Sequence, residues 1–468
     1  MPNILPLACL LVLGADNPAP APAPSPPPAA IDVATALETA LADAIAKAEP
    51  SVVAIARERA ENDVTTAIRG KNPAPPSDPF GPDTLTFDYG SGVVIGDKGE
   101  ILTAFHVVKG ASRIHIRSIG NPEFEAEIIA ADPRSDLAVV MPREVRTARA
   151  LKFTPISLGD ATKLRKGSFL VALGNPFNAA IRDGRPSASW GILSNIARRI
   201  EQLDETQPLS LKNYPTLLQL DSKLNLGMSG GAVVNLKGEL VGLTSSSANA
   251  AGFDALAGYA IPIDAMGRRA INALREGKEV EYGYLGIGLD RQTRTTRVTQ
   301  AQPGSPAAMG GILLDDQILS VGDRELHDVD DLVLAINSVP VGTQIPLKIR
   351  RRNETIERTV ELAKFRVDGE VIATNRPLPW RGARVDFTST LPTRMLGGDF
   401  VGALSMGGVV IVEVETGSPA EKAGLKQGQL IRSVEGKPVR SPAEFSKAIA
   451  GRDGPVTVLT DIGPVTVK

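Results

Sequence analysis

Gly304-Ser305-Pro306-Ala307 returns 113 residues later as Gly417-Ser418-Pro419-Ala420. The same offset carries Gly311 onto Gly424, Ser320-Val321 onto Ser433-Val434, Leu332 onto Phe445 and Ile336 onto Ile449. A colinear match of this extent marks an internal duplication, so the C-terminal part of the chain is two copies of one small α+β module. The full chain has 468 residues, more than one hydrophobic core supports, so a further domain must precede the copies. Lys364 to Pro379, with prolines at 377 and 379, reads as the linker between them.

Upstream, from Ser51 to about Ser247, short apolar runs alternate with Gly, Asp, Asn and Pro. SGVVIGDKGEILTAFHVV reads as a hairpin turning at Asp97-Lys98-Gly99, and GAVVNLKGELVGLTSS as another turning at Lys237-Gly238. Many short strands with few long helices imply a sandwich or barrel. An Ala-rich helix is expected from Ile31 to Glu49, stopped by Pro50. Met266, Ala270, Ile271 and Leu274 recur at helical spacing and predict a closing helix over Ile263 to Glu276.

Ile4 to Leu13 is an apolar run of signal-peptide length, too short to span a bilayer, and Leu13-Gly14-Ala15 offers a small-residue cleavage site. The basic flank of a signal peptide is missing, since the first Lys or Arg is Lys47. Asn17 to Ala30 is a Pro/Ala spacer. The expectation is a periplasmic or secreted protein with no integral membrane span. A net charge of −2 gives no reason to expect nucleic acid as a partner. The single cysteine, Cys9, excludes an intramolecular disulfide, and three histidines (His106, His115, His327) argue against a metal centre. No cofactor is expected.

Chemistry concentrates in NLGMSGGAVV, Asn225 to Val234. A serine hydroxyl becomes a nucleophile at neutral pH only with a base to take its proton, a carboxylate to orient that base, and N–H donors for the oxyanion. Gly227-Met228-Ser229-Gly230-Gly231 fits the G-x-S-x-G elbow of α/β-hydrolases by letter. That elbow needs a helix after the serine and a histidine later in the chain. Here a hairpin follows Ser229, and the only later histidine, His327, lies in the repeat. The opposite order is available: His106 at a strand end, Asp136 before the next apolar run, Ser229 last. His, Asp, Ser is the chymotrypsin order on a β scaffold. Asp132 competes with Asp136, and His115 sits in an alternating run that reads as a strand.

These motifs resemble the HtrA/Deg family, trypsin-like serine proteases with C-terminal PDZ domains. The resemblance rests on GSGVVIGDKGEILTAFHVV, SDLAVV, ALGNPF, LQLDSKLNLGMSGGAVVNLKGELVGL, GYAIPID and GYLGIGL. It implies a multidomain chain: an all-β chymotrypsin-like double β-barrel over residues 31–280, following a signal-like and Pro/Ala-rich segment at 1–30. Two small α+β PDZ modules would then occupy 281–365 and 381–468, joined by a linker at 366–380. It makes His106 the general base, Asp136 its orienting carboxylate and Ser229 the nucleophile. Gly227 and Ser229 would supply the oxyanion hole, Lys223 and Leu224 would border the specificity pocket, and no metal would take part. The loop Tyr284-Leu285-Gly286-Ile287 would bind a peptide carboxylate, and Gly382-Ala383-Arg384-Val385 is its candidate counterpart. Gly286 to Gly304 spans 18 residues and Gly382 to Gly417 spans 35, so the second module carries an insertion near 388–407.

The implied activity is a serine endopeptidase of protein quality control that cleaves unfolded polypeptides and reads peptide C-termini. A homo-oligomer, a trimer by resemblance, is implied too, although only Phe80, Phe87 and Tyr89 offer aromatics near the domain's start. Three departures stand out: Phe105 before the histidine, Met228 in place of the usual asparagine, and Ala232 in place of a proline. Met228 cannot make an amide hydrogen bond to hold the nucleophile's turn. A rival reading follows, a non-catalytic or weakly active peptide-binding scaffold.

Overall fold

The short apolar runs close into two antiparallel barrels. The first comprises β1 (Val52–Arg59), β2 (Tyr89–Val94), β3 (Ile101–Ala104), β4 (Ala111–Arg117), β5 (Phe124–Asp132) and β6 (Leu137–Pro142). They run in the order β5-β4-β1-β2-β3-β6, and β6 pairs back onto β5. The second comprises β7 (Phe169–Gly174), β8 (Ser187–Arg198), β9 (Leu217–Leu220), β10 (Ala232–Val234), β11 (Leu240–Thr244) and β12 (Gly258–Pro262), ordered β10-β11-β12-β9-β8-β7 and closed by β10 on β7. The computed structural model describes residues 30–59, 89–144, 150–181, 183–198, 216–245, 258–289, 295–391 and 407–468. The signal-like run, the Pro/Ala spacer, Phe80, Phe87 and most of the insertion fall outside them.

Both expected hairpins form, β2–β3 and β10–β11. Each turns on a glycine with positive φ, Gly99 at 85° and Gly238 at 70°, a region open to glycine without strain. Helix α1 spans Ala30–Ala48 and gives way at Pro50 to a single 3-10 turn, Glu49–Ser51. Helix α2 is one turn, Phe105–Val108, directly after β3. Helix α3 spans Ala265–Arg275, and its N-cap Asp264 accepts a hydrogen bond from the Gly267 N–H at 2.8 Å. One apolar cluster takes Leu102 and Val139 from the first barrel, Val171, Leu173 and Ala232 from the second, and Met266, Ala270, Ile271 and Leu274 from α3. The barrels are therefore joined by a shared core, with α2 and the Ser229 loop at the seam.

The duplicated motif acquires a physical reason. Gly304 and Gly417 take positive φ (73° and 78°), and Ser305 and Ser418 each cap a one-turn helix that begins with proline. Their hydroxyls accept from Ala308 N–H and Glu421 N–H, again 113 residues apart. Gly286 matches Gly382 by its bonding, at an offset of 96 because the insertion lies between Gly382 and Gly417. Gln302 N–H donates to the Gly286 carbonyl and Glu415 N–H to the Gly382 carbonyl, both at 2.8 Å.

Residues 366–380 do more than span a gap. Ile372–Ala373 pairs antiparallel with Ala131 and Ala130, adding a strand to the edge of β5. Thr374 N–H donates to the Ile129 carbonyl at 3.1 Å and Asn375 N–H to the Gly277 carbonyl at 2.8 Å. Nearby, the buried Lys364 ammonium donates to Glu279 at 2.9 Å and Asp386 at 2.7 Å. The second module is thus held to the barrel and to the first module by main-chain pairing and by an ion pair.

Candidate active site

The turn after β5 explains the competition between Asp132 and Asp136. Asp132 is fully buried and accepts from the Ser135 N–H at 2.9 Å, the Ser135 hydroxyl at 2.6 Å and the Tyr282 hydroxyl. Burial pushes its carboxyl up despite these donors. Arg134, also buried, stacks on Tyr282 and Phe365 at 4.7 and 3.9 Å, and burial pulls its guanidinium down. Asp132 is therefore committed to shaping the turn. Tyr282→Phe would leave it one donor short, and a loss of about 1–3 kcal/mol of stability is expected in urea denaturation.

That turn delivers Asp136 in the left-handed region, φ 56°, uncommon for a residue other than glycine. Its carboxylate meets the His106 Nδ1 at 2.8 Å through Oδ2 and 3.0 Å through Oδ1, and Oδ1 also accepts the His106 backbone N–H at 3.0 Å. An ionised carboxylate cannot donate, so Nδ1 carries the proton and Nε2 is left as the basic nitrogen. Nε2 is buried and has no hydrogen-bond partner among the described residues. From the second barrel Ser245 donates to Asp136 Oδ2 at 3.1 Å. In the sequence Ser245 carries no signal of this contact, since TSSS reads as an ordinary strand end.

Ser229 lies in the loop between β9 and β10, packed against the strand end that leads into His106. A Cβ added at Gly230 would stand 2.5 Å from Thr103 Oγ1 and 3.0 Å from Ala104 N, so only glycine allows this approach. Every carbonyl from 226 to 229 is engaged. Leu226 accepts from Phe177 N–H (2.8 Å), Gly227 from the Ser91 hydroxyl (2.7 Å), Met228 from Gly231 N–H (2.9 Å) and Ser229 from Ser91 N–H (2.8 Å). Thr244 Oγ1 donates to the Met228 carbonyl as well. Ser91 Oγ accepts from Asn175 N–H at 2.8 Å, so one hydroxyl ties β2, the end of β7 and the Ser229 loop together. The small residues flanking Ser91 in GSGVV were the available signal for this role.

Met228 is 3% exposed and packs among Leu193, Leu218, Leu220, Val233 and Val241 inside the second barrel. Where an amide would hold the turn by hydrogen bonds, this chain holds it by apolar packing. Met228→Ala should cost about 2–5 kcal/mol through the cavity left behind. Met228→Leu should cost less than about 1.5 kcal/mol, both read from denaturation midpoints. Phe105 is buried in the first barrel's core, its N–H bonded to the Asp136 carbonyl at 2.9 Å. Lys223 is exposed, whereas Leu224 is partly buried and would clash with a Cβ on Gly258 at 2.7 Å. Tyr89 is turned inward: its ring would lie 2.5 Å from a Cβ at Gly227.

Residues 90–243 match the trypsin-like peptidase domain, and residues 283–362 and 410–460 each match a PDZ domain. The chain is 32% identical over 382 residues to the periplasmic pH-dependent serine endoprotease DegQ of Escherichia coli K12, covering 78% of this chain and 76% of that protein. It belongs to the HtrA/Deg family of serine endoproteases. The periplasmic serine endoprotease DegP of Salmonella typhimurium LT2 is 30% identical over 373 residues, 77% of this chain and 71% of its own length. A solved HtrA-type protease, AlgW with a decapeptide, superposes with a TM-score of 0.51 at 25% identity, over 72% of this chain and 99% of its own. This HtrA/Deg chain is a serine-type endopeptidase of protein quality control. The reading as a non-catalytic scaffold is not favoured. No described helix is long and apolar enough to cross a membrane.

Proposed function

We propose that His106 is the general base of this endopeptidase, Asp136 its orienting carboxylate and Ser229 its nucleophile. The N–H groups of Gly227 and Ser229 form the oxyanion hole. The observation that carries the reading is the locked Nδ1 of His106, which leaves Nε2 as the proton acceptor. Ser229 Oγ attacks the scissile carbonyl as Nε2 takes its proton, and the two N–H groups hold the oxyanion. Nε2 then protonates the leaving amine, and water enters by the same route to release the acyl group. The engaged carbonyls of residues 226–229 support a hole formed at rest, because none is free to turn into it. A Ser229→Ala protein that folds and still cleaves casein at the wild-type rate would contradict the assignment.

Leu224 against Gly258 supports an apolar wall for the specificity pocket, with Lys223 outside it. The first PDZ module is the receptor for peptide C-termini. The carbonyls of Leu285 and Gly286 are occupied by Ala307 N–H and Gln302 N–H, which aims the opposite edge of the Tyr284–Ile287 loop at a carboxylate. The second module is a structural unit. Its equivalent loop is spent on itself, Trp380 and Ala383 exchanging both N–H···O bonds at 2.8 Å. Arg381 there is engaged by the carbonyls of Val467, Arg452 and Gly454. The substrates are unfolded polypeptides and the location is periplasmic, as the signal-like run and the names of the relatives support. A homo-oligomer is supported by membership of the family alone.

A further inference from the structure

Helix α2 is a single turn of four residues with no side-chain N-cap, too short to hold its own shape. Yet it carries His106, whose imidazole must stay within hydrogen-bond reach of a serine on the other barrel. Its N-terminal end is held by Asp136, which takes the His106 N–H on its carboxylate and the Phe105 N–H on its carbonyl. Its C-terminal end leaves carbonyls without intrahelical donors. Arg57, near the end of β1, supplies them. One guanidinium nitrogen, Nη1, donates to the His106 carbonyl at 3.1 Å and to the Lys109 carbonyl at 2.5 Å. A cation at the negative end of the turn complements the anion at its start.

We propose that Arg57 is a positioning residue for peptide hydrolysis: by bridging the His106 and Lys109 carbonyls it fixes the turn that aims the imidazole at Ser229. The inference rests on the assignment of His106 and Ser229 as base and nucleophile. The side chain touches neither substrate nor the reacting atoms, so its contribution is geometry. A base displaced by a fraction of an ångström loses rate without losing substrate affinity. Because a single nitrogen makes both bonds, a lysine ammonium, one bond short, can replace it with a small shift, whereas apolar methionine and the still shorter glutamine cannot.

The experiment measures kcat and KM on labelled casein for full-length wild type, Arg57→Met, Arg57→Lys and Arg57→Gln. Labelling of wild-type Ser229 by a fluorophosphonate probe is followed in parallel. Arg57→Met should lower kcat roughly tenfold with KM unchanged within about twofold, and Arg57→Lys should restore most of the loss. Should Arg57→Met fail to fold, the same contrast is read between Lys, which retains kcat, and Gln, which loses it. Unchanged kcat in Arg57→Met, or a fall in activity that lysine does not rescue, overturns the proposal. If wild-type Ser229 takes no label, the underlying triad assignment has failed instead, and the two failures are told apart.

Discussion

Ser229→Ala should lower casein hydrolysis by about a millionfold, with the thermal midpoint close to wild type. Alanine removes the hydroxyl proposed to form the acyl-enzyme but leaves the backbone that ties the loop to Ser91, Thr244 and Phe177. What remains is the catalysis available from binding and from the oxyanion donors alone. Activity measured against unfolded casein and a melting curve on the same preparation separate loss of chemistry from loss of fold. A variant that loses both would point to a structural serine.

Gly227→Ala is the next most damaging change expected. Gly227 has φ 92°, and a Cβ there would stand 2.3 Å from the Asn175 carbonyl oxygen and 2.5 Å from the Tyr89 ring. A backbone oxygen cannot swing aside as a flexible side chain would, so the Gly227 peptide must turn. Its N–H is one of the two proposed oxyanion donors. Loss of one such donor costs roughly 10²–10³ in kcat, and that is the fall expected here, with a much smaller effect on KM. A variant with kcat within about tenfold of wild type would place the oxyanion donors elsewhere.

Much of this architecture is legible in the sequence because it rests on local signals. The hairpins are marked by Asp97-Lys98-Gly99 and Lys237-Gly238, and the repeated modules by Gly-Ser-Pro-Ala, whose serine and proline are a cap and a first helical residue. The proposed order His106, Asp136, Ser229 is read from signals of the same local kind, each residue lying close to an apolar run. What escapes is whatever depends on one barrel meeting the other. Ser91 and Ser245 reach across the seam; the glycines beside Ser91 mark a close approach without saying to what, and nothing within a few residues of Ser245 marks it at all. Met228 reads as a missing hydrogen bond until the pairing of β8, β9 and β10 shows the apolar cluster it fills. The Ile372–Ala373 strand is two residues long, without periodicity, and its partner lies more than two hundred residues away. His106 reads as a strand end, whereas one helical turn intervenes between β3 and the following loop.

The most direct test is to treat the full-length protein, without any peptide ligand, with a fluorophosphonate probe and map the adduct by mass spectrometry. The proposal of an oxyanion loop formed at rest, held by the packed Met228 and the engaged carbonyls, predicts a single covalent adduct on Ser229, abolished in His106→Ala. A protein that hydrolyses casein while Ser229 stays unlabelled, or that carries the adduct on another residue, would contradict it.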